Sequence, residues 1–153
     1  MAGTYSQVYL QIIFAVQGRH ALINPAWEVE LYKYMSGIIS AKRHKPIIVN
    51  GHRDHVHLFV GQKPYMSTSD LVKEVKTSST RFINDRNFIQ GKFSWQEGFG
   101  VFSYSQSDID NVYKYVLNQH EHHRIKTFKE EYINFLNEFQ VPFEERFLFD
   151  WLD

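Results

Sequence analysis

The stretch that most constrains the fold of this chain lies at residues 54–60, where aromatic and aliphatic side chains alternate from His55 onward. Alternation with a period of two predicts a β-strand whose successive side chains point to opposite faces of a sheet. Val56 and Leu58 then share one face, while His55 and His57 share the other. Two imidazoles therefore project side by side from one rigid element.

Two histidines one pleat apart can both supply neutral nitrogen ligands to one divalent ion, which is a common arrangement in metal sites. The same pattern also fits a half-exposed strand that carries two histidines without any metal. The chain contains no cysteine, so any bound ion has to be held by nitrogen and oxygen ligands. His55 and His57 are therefore candidate ligands that need partners from elsewhere in the chain.

The remaining periodicity predicts an antiparallel sheet with two helices on one face. The elements follow the order strand, helix, strand, strand, helix, strand and then further helices, which is the split βαβ pattern of an α+β fold. Asn24-Pro25 is expected to begin the first helix, and Ser67 with Asp70 the second. Strands are expected at residues 4–16, 46–50, 54–60 and 101–105, and helices at residues 24–42, 67–83, 108–123 and 127–139.

Size and composition favour one folded domain over residues 1–153, since 43% of the residues are hydrophobic and 16% are aromatic. Neither a long apolar run nor a charged leader is found, which predicts a soluble, cytoplasmic protein. Seventeen basic residues balance seventeen acidic ones, and this neutrality argues against an indiscriminate nucleic-acid coat protein. A local basic surface is compatible with the same balance.

A second candidate group lies on the helix predicted at residues 108–123. Tyr113 falls within its apolar stripe and is expected to pack in the core. Tyr115 falls outside that stripe, and Gln119 lies one turn above it on the same flank. A nucleophile has to reach its substrate, so Tyr115 is the better candidate for chemistry, although an ordinary surface tyrosine fits the same position.

Together these segments resemble the single-tyrosine HUH transposases of simple insertion sequences and their repeat-associated relatives, where HUH stands for histidine, hydrophobic residue, histidine. The features that carry the resemblance come in one order: an opening strand, His55-Val56-His57, a turn at residues 95–100, Tyr115 with Gln119, and a helix end at His122-His123. The resemblance covers nearly the whole chain. It implies a ferredoxin-like or RRM-like fold whose central strand carries the two histidines.

The resemblance also implies a function and a site. The chain would be a DNA transposase that acts on single-stranded DNA hairpins at element ends, as a homodimer whose subunits often share active sites. Tyr115 matches the family's nucleophile, and His55, His57 and Gln119 match its ligands for Mg²⁺ or Mn²⁺. The tyrosine would attack a DNA phosphate to form a 5′-phosphotyrosine, and the reverse reaction would rejoin strands.

The second predicted helix carries Lys73, Lys76 and Arg81 on one flank, and these residues are candidate contacts to a nucleic-acid backbone. An ordinary solvated helix face would show the same pattern. The histidines at positions 120, 122 and 123 lie at a predicted helix end, where cationic side chains are favourable without an ion. We expect structural or weak phosphate-binding roles for them.

Two other functions fit the same sequence. One is a non-catalytic nucleic-acid-binding module whose histidines only pack, although the chain lacks the Lys/Arg-Gly-aromatic signature of RNA-binding versions of this fold. The other is a domesticated repeat-associated nuclease that cuts single strands without moving an element. Intact catalytic residues do not separate this nuclease from a mobile transposase.

Overall fold

A four-stranded antiparallel sheet forms the centre of this chain in a computed structural model that describes residues 1–152. The strands are β1 (Tyr9–Ala15), β2 (Lys45–His52), β3 (His55–Gly61) and β4 (Gly100–Tyr104). The helices are α1 (Glu28–Ala41), α2 (Thr68–Asp85), α3 (Ile109–Leu117), α4 (Gln119–His122) and α5 (Phe128–Glu138). Within the described range, no helix combines the length and the apolar character that a membrane crossing requires.

The strand order β2-β3-β1-β4 places β1 and β3 at the centre of the sheet. β1 pairs with β3 on one side and with β4 on the other, and β2 pairs with β3 as a hairpin. All three pairings are antiparallel, and α1 and α2 each connect two strands. This is the split βαβ arrangement. The predicted α+β, ferredoxin-like and RRM-like fold class is therefore confirmed.

α1 and α2 cover the sheet face that carries the aliphatic residues of β3. Leu58 of β3 and Phe14 of β1 lie in one buried cluster with Leu31 of α1 and Val75 of α2. Trp95, which precedes β4, packs edge-on against Phe14 with ring centroids 4.8 Å apart. Removal of this apolar surface from water is the main favourable contribution to folding.

α3 and α5 cover the opposite face, onto which the histidines of β3 project. Phe59 of β3 packs against Val112 and Val116 of α3. Phe102 of β4 stacks on Phe135 of α5, with ring centroids 5.2 Å apart. The C-terminal helices therefore bury the strand face that carries the two histidines.

The C-terminal tail holds α5 against the sheet. Phe149 stacks on Phe128 at the start of α5, with ring centroids 5.7 Å apart. Gln96 donates a hydrogen bond of 2.9 Å to the carbonyl oxygen of Asp150 and accepts one of 2.8 Å from its backbone N–H. These contacts pack the aromatic tail on the body of the fold. α5 also begins with a capping box at Thr127.

β1 is shorter than the strand predicted from residue 4. Tyr9 pairs with Gly61 at the end of β3 and with Tyr104 at the end of β4. Both neighbouring strands end at this level, so the sheet ladder has no partner strand for the residues before Tyr9. Val8 is accordingly 39% exposed, and the alternation in residues 4–8 does not correspond to a strand.

The first helix also begins later than predicted, whereas the start of the second is confirmed. Asn24 Oδ1 accepts a hydrogen bond of 2.8 Å from the Ala26 N–H, and this contact closes a turn that precedes α1. α1 itself begins at Glu28. At α2, Ser67 Oγ accepts a hydrogen bond of 3.1 Å from the Asp70 N–H, as the capping signal predicts.

The helix predicted at residues 108–123 is interrupted between α3 and α4. Asn118 has backbone angles φ −96° and ψ 26°, outside the helical range. The amide of Asn50, on β2, donates hydrogen bonds of 3.0 Å to the carbonyl oxygens of Val116 and Leu117. These carbonyls lie at the end of α3 and would otherwise lack partners. The break therefore depends on a residue far away in the sequence, which helical periodicity does not reveal.

We predict that Gly51→Ala destabilises the protein. A Cβ atom at this position of β2 would lie 2.3 Å from the carbonyl oxygen of His55 and 3.0 Å from Cα of Val56. Because relief requires a backbone shift in the central hairpin, we expect the free energy of unfolding to fall by about 1–3 kcal/mol. Urea denaturation measures the change.

Gly37→Ala is the matched control for Gly51→Ala. It lies in α1, an added Cβ would meet no atom within 4 Å, and alanine is the better helix former. This variant should be neutral or stabilising. If the two variants were equally stable, the proposed clash in the hairpin would be wrong.

Candidate active site

The two histidines singled out in the sequence lie on the central strand β3 and are fully buried. The ring centroids of His55 and His57 are 5.0 Å apart. Each ring makes a hydrogen bond through Nδ1: His55 with Asp54 Oδ1 at 2.7 Å, and His57 with Gln11 Oε1 at 2.6 Å. Outer hydrogen bonds of this kind fix the orientation of metal-binding imidazoles. The two Nε2 atoms therefore point toward the same small volume.

Gln119, which the resemblance assigns as a ligand, lies beside the two histidines. Its side chain is fully buried, and its Oε1 lies 3.1 Å from Nε2 of His55. The break at Asn118 makes Gln119 the first residue of α4, so the amide is carried by a separate helical turn and not by an extension of α3. The structure thus brings His55, His57 and Gln119 to one place.

Glu131 of α5 completes the cluster, and sequence reasoning did not identify it. Its Oε1 lies 3.2 Å from Nε2 of His55 and 3.2 Å from Nε2 of His57. One signal could have found it. Glu131 falls within the buried stripe of α5, between Phe128 and Phe135, where a carboxylate is unusual unless it has partners.

Tyr115 points into the same cluster. Its hydroxyl donates a hydrogen bond to Glu131 Oε2, and its ring stacks on His122 with centroids 4.5 Å apart. The expectation that Tyr113 packs in the core is wrong, because Tyr113 is 40% exposed. α5 covers the flank of α3 that carries Tyr115, so the flank that seemed solvated in the sequence faces Phe135.

Burial and hydrogen bonding together set the charges in this cluster. Burial alone lowers the pKa of His55, but its hydrogen bonds with Asp54 and Glu131 outweigh burial and raise the pKa to about 9. Burial lowers the pKa of His57. Burial by itself raises the pKa of Glu131, yet the surrounding imidazoles hold that pKa well below its usual range. Glu131 is therefore an ionised carboxylate enclosed by histidines.

The phenol of Tyr115 is held in its protonated form. Burial raises its pKa, and the neighbouring carboxylate of Glu131 raises it further. A phenol in this state is a weak nucleophile. Attack by Tyr115 therefore requires additional positive charge in the cluster or transfer of its proton.

The cluster has the composition of a divalent metal site. Ligand atoms of His55, His57 and Glu131 all lie within 4.8 Å of one another, and Oε1 of Gln119 adjoins them. Two imidazole nitrogens with carboxylate and amide oxygens suit ions such as Mn²⁺, and Mg²⁺ when more of the ligands are oxygens. These ligand atoms, together with the hydrogen bonds that Asp54 and Gln11 make to the imidazole Nδ1 atoms, therefore fit a bound metal.

The three histidines near the helix end have different surroundings. His123 Nε2 lies 3.1 Å from Gln119 Oε1 and 3.2 Å from Glu131 Oε1, so it borders the cluster. His122 stacks on Tyr115. His120 lies outside and contacts both oxygens of Glu28 at 3.1 Å.

The three basic residues of α2 do not form one exposed surface. Lys76 donates hydrogen bonds of 2.7 Å and 2.8 Å to the carbonyl oxygens of Gln96 and Gly98, so it holds the turn before β4. Lys73 and Arg81 are exposed. Of the three predicted nucleic-acid contacts on α2, Lys73 and Arg81 are therefore the two whose side chains face solvent.

Several solved structures resemble this chain, among them two transposases. A candidate transposase from Deinococcus radiodurans R1 is 21% identical and aligns with a TM-score of 0.60 over 78% of this chain and 95% of its own. A REP-associated tyrosine transposase bound to a REP hairpin is 16% identical and aligns with a TM-score of 0.55 over 83% of this chain and 76% of its own. At these identities the similarity shows the fold. No curated protein matches the chain.

The sequence profile described as "Transposase IS200 like" matches residues 4–119. This span includes β1 to β4, the histidine pair, Tyr115 and Gln119, and it leaves out α5 with Glu131. The resemblance inferred from the sequence is thus confirmed. Because the match covers most of the chain, the protein belongs to the IS200-like transposase family, whose members cut and join DNA.

Proposed function

We propose that this transposase cuts single-stranded DNA with Tyr115 as the nucleophile and carries the cut strand as a 5′-phosphotyrosine. The observation that supports this assignment most strongly is the convergence of Tyr115 with His55 and His57 on one buried carboxylate, Glu131. A non-catalytic module whose histidines only pack has no need for a tyrosine hydroxyl at this position. The family match supports the same chemistry.

The proposed reaction exchanges one phosphodiester for another. The Tyr115 oxygen forms a bond to phosphorus, the bond from phosphorus to the 3′ oxygen of the neighbouring nucleotide breaks, and that oxygen leaves as a 3′ hydroxyl after it takes up a proton. The phenol proton is released to water, which also supplies the proton of the new 3′ hydroxyl, while Glu131 accepts the hydrogen bond that orients the phenol. Reversal with a different 3′ hydroxyl joins two strands without an external energy source.

We propose that His55, His57, Gln119 and Glu131 hold Mg²⁺ or Mn²⁺. A divalent ion in such a site supplies positive charge that stabilises a phosphate undergoing substitution and lowers the pKa of nearby hydroxyls. Asp54 and Gln11 keep the two imidazoles oriented toward that position through their Nδ1 atoms. Glu131 is an addition to the ligand set that the sequence predicts.

We propose that the substrate is a DNA hairpin at an element end and that the protein acts as a homodimer. A structure with the same fold is that of a REP-associated tyrosine transposase bound to a REP hairpin. We assign phosphate contacts to Lys73 and Arg81 of α2. Lys76 is left out because it donates its hydrogen bonds to backbone carbonyl oxygens of the same chain. With equal numbers of acidic and basic residues, the chain favours recognition of hairpin shape over nonspecific attraction.

We predict that Tyr115→Phe abolishes the covalent adduct with DNA but leaves hairpin binding unchanged. The substitution removes only the attacking oxygen and its hydrogen bond to Glu131. The assay incubates labelled hairpin oligonucleotides with the protein and Mg²⁺ and then looks for a conjugate that survives denaturation. Tyr113→Phe, on the exposed side of α3, is the control and should form the adduct normally. An adduct in the Tyr115 variant would exclude Tyr115 as the nucleophile.

We also predict that His57→Ala weakens Mn²⁺ binding by about 100-fold or more, since even outer residues of metal sites commonly contribute 10–100-fold. Isothermal titration calorimetry measures the affinity without any DNA. His20→Ala serves as the control, because His20 is exposed and contacts the Lys92 carbonyl oxygen away from the cluster. Equal affinity of the two variants would contradict the assigned metal site.

The active site is expected to function within one subunit, because Tyr115 contacts Glu131 of the same chain. We predict that a co-expressed mixture of Tyr115→Phe and His57→Ala chains forms no adduct. Differently tagged chains, purified together, show whether mixed assemblies are present. Restored adduct formation in such mixed assemblies would instead show that subunits exchange their tyrosine helices.

A further inference from the structure

A cavity of about 620 Å³ opens beside Tyr115, between β4, α3 and α5. Cavities of roughly 300–1,000 Å³ are typical of small-molecule sites. Tyr115 and Glu131 both line it, so the cavity adjoins the atoms that we assign to the reaction. Gln11 also lines the cavity and orients His57, and the other lining residues have no role in the proposed cleavage chemistry.

The walls of the cavity are suited to a planar ring. Tyr104 and Phe139 meet edge to face with ring centroids 5.4 Å apart, and Phe135 lies beside them. Aromatic side chains are the usual partners on which unpaired bases stack. Gln11 connects this wall to the metal cluster, because its Nε2 donates a hydrogen bond of 2.9 Å to Tyr104 Oη while its Oε1 contacts His57.

The charges that line the cavity are unsuited to a phosphate group. Asp108, Glu131 and Glu138 supply three carboxylates, against one basic residue, Lys126. Burial raises the pKa of the Tyr104 phenol. The negative charges of Glu138 and Asp108 raise this pKa further, so both carboxylates lie close enough to Tyr104 to affect it. Tyr104 therefore keeps its proton. A neutral ligand that donates hydrogen bonds fits such a lining better than an anion.

We propose that this cavity, the base pocket, holds one unpaired nucleobase of the nucleotide next to the phosphate that Tyr115 attacks. Asp108 and Glu138 select a base with an exocyclic amino group. The inference rests on the proposed function, because the nucleotide enters the pocket only when its phosphate reaches Tyr115.

Carboxylates explain the expected selectivity. Ionised Asp and Glu side chains only accept hydrogen bonds, and the exocyclic amino groups of cytosine, adenine and guanine donate them. Thymine has no amino group, and its carbonyl oxygens would face negative charge. The base pocket should therefore exclude thymine, with a discrimination of about tenfold.

The test uses hairpin oligonucleotides whose single-stranded arms are randomised. The intact protein is incubated with this library and Mg²⁺, covalent adducts are isolated under denaturing conditions, and sequencing gives the cleavage position and the bases on both sides. The variants are Asp108→Asn and Glu138→Gln, which keep shape and remove charge. Asp110→Asn and Glu145→Gln are matched controls that do not line the cavity, and thermal unfolding verifies that all four variants are folded.

Wild-type protein and both controls are expected to disfavour thymine by about tenfold at one position beside the cleaved phosphate. Asp108→Asn or Glu138→Gln should reduce this discrimination to about twofold while adducts still form. Equal use of thymine by the wild-type protein, or unchanged discrimination in both pocket variants, would overturn the base pocket and leave the proposed function intact. Failure of the wild-type protein to form any adduct would overturn the proposed function, and the inference would fall with it.

Discussion

The structure depends on one buried interaction, the carboxylate of Glu131 enclosed by the imidazoles of His55, His57 and His123. Glu131 is only 2% exposed, and an ionised carboxylate at such a depth is strongly unfavourable unless charged or hydrogen-bonding partners surround it. These contacts favour the register of α5 on the sheet that sets Glu131 over the histidine pair. The same docking encloses Tyr115 and forms the outer wall of the base pocket.

Each group of the site lies on a strand or helix that is held in place by its own packing or hydrogen bonds. The histidines lie on β3, which has a hydrogen-bonded strand on both sides, so their separation is set by the sheet. Tyr115 lies on α3, which is anchored by Val112 and Val116 against Phe59. Catalytic groups on rigid elements with oriented side chains are held closer to a productive geometry than groups on loops. The sheet face covered by α1 and α2 thus carries the main hydrophobic core, and the opposite face carries the candidate site.

Local periodicity was sufficient for the parts of the site that belong to one element. Alternation in β3 put His55 and His57 on one face of the sheet. Helical spacing put Tyr115 and Gln119 near each other, although the break at Asn118 places them on separate helices, α3 and α4. Glu131 could not be found in this way, because its burial depends on where α5 packs, and that packing is a long-range property. The misplacement of Tyr113 has the same cause: an apolar stripe predicts a buried face only when the neighbouring helix covers that face.

The proposed chemistry depends on a divalent metal site formed by the histidine pair, Gln119 and Glu131 beside Tyr115. A crystal structure of the protein grown with Mn²⁺, with anomalous diffraction data, tests for this site. We expect an anomalous peak within bonding distance of Nε2 of His55 and Nε2 of His57, with an oxygen of Glu131 or Gln119 as a further ligand. A cluster without such a peak, while Mn²⁺ is bound elsewhere on the chain, would rule the site out.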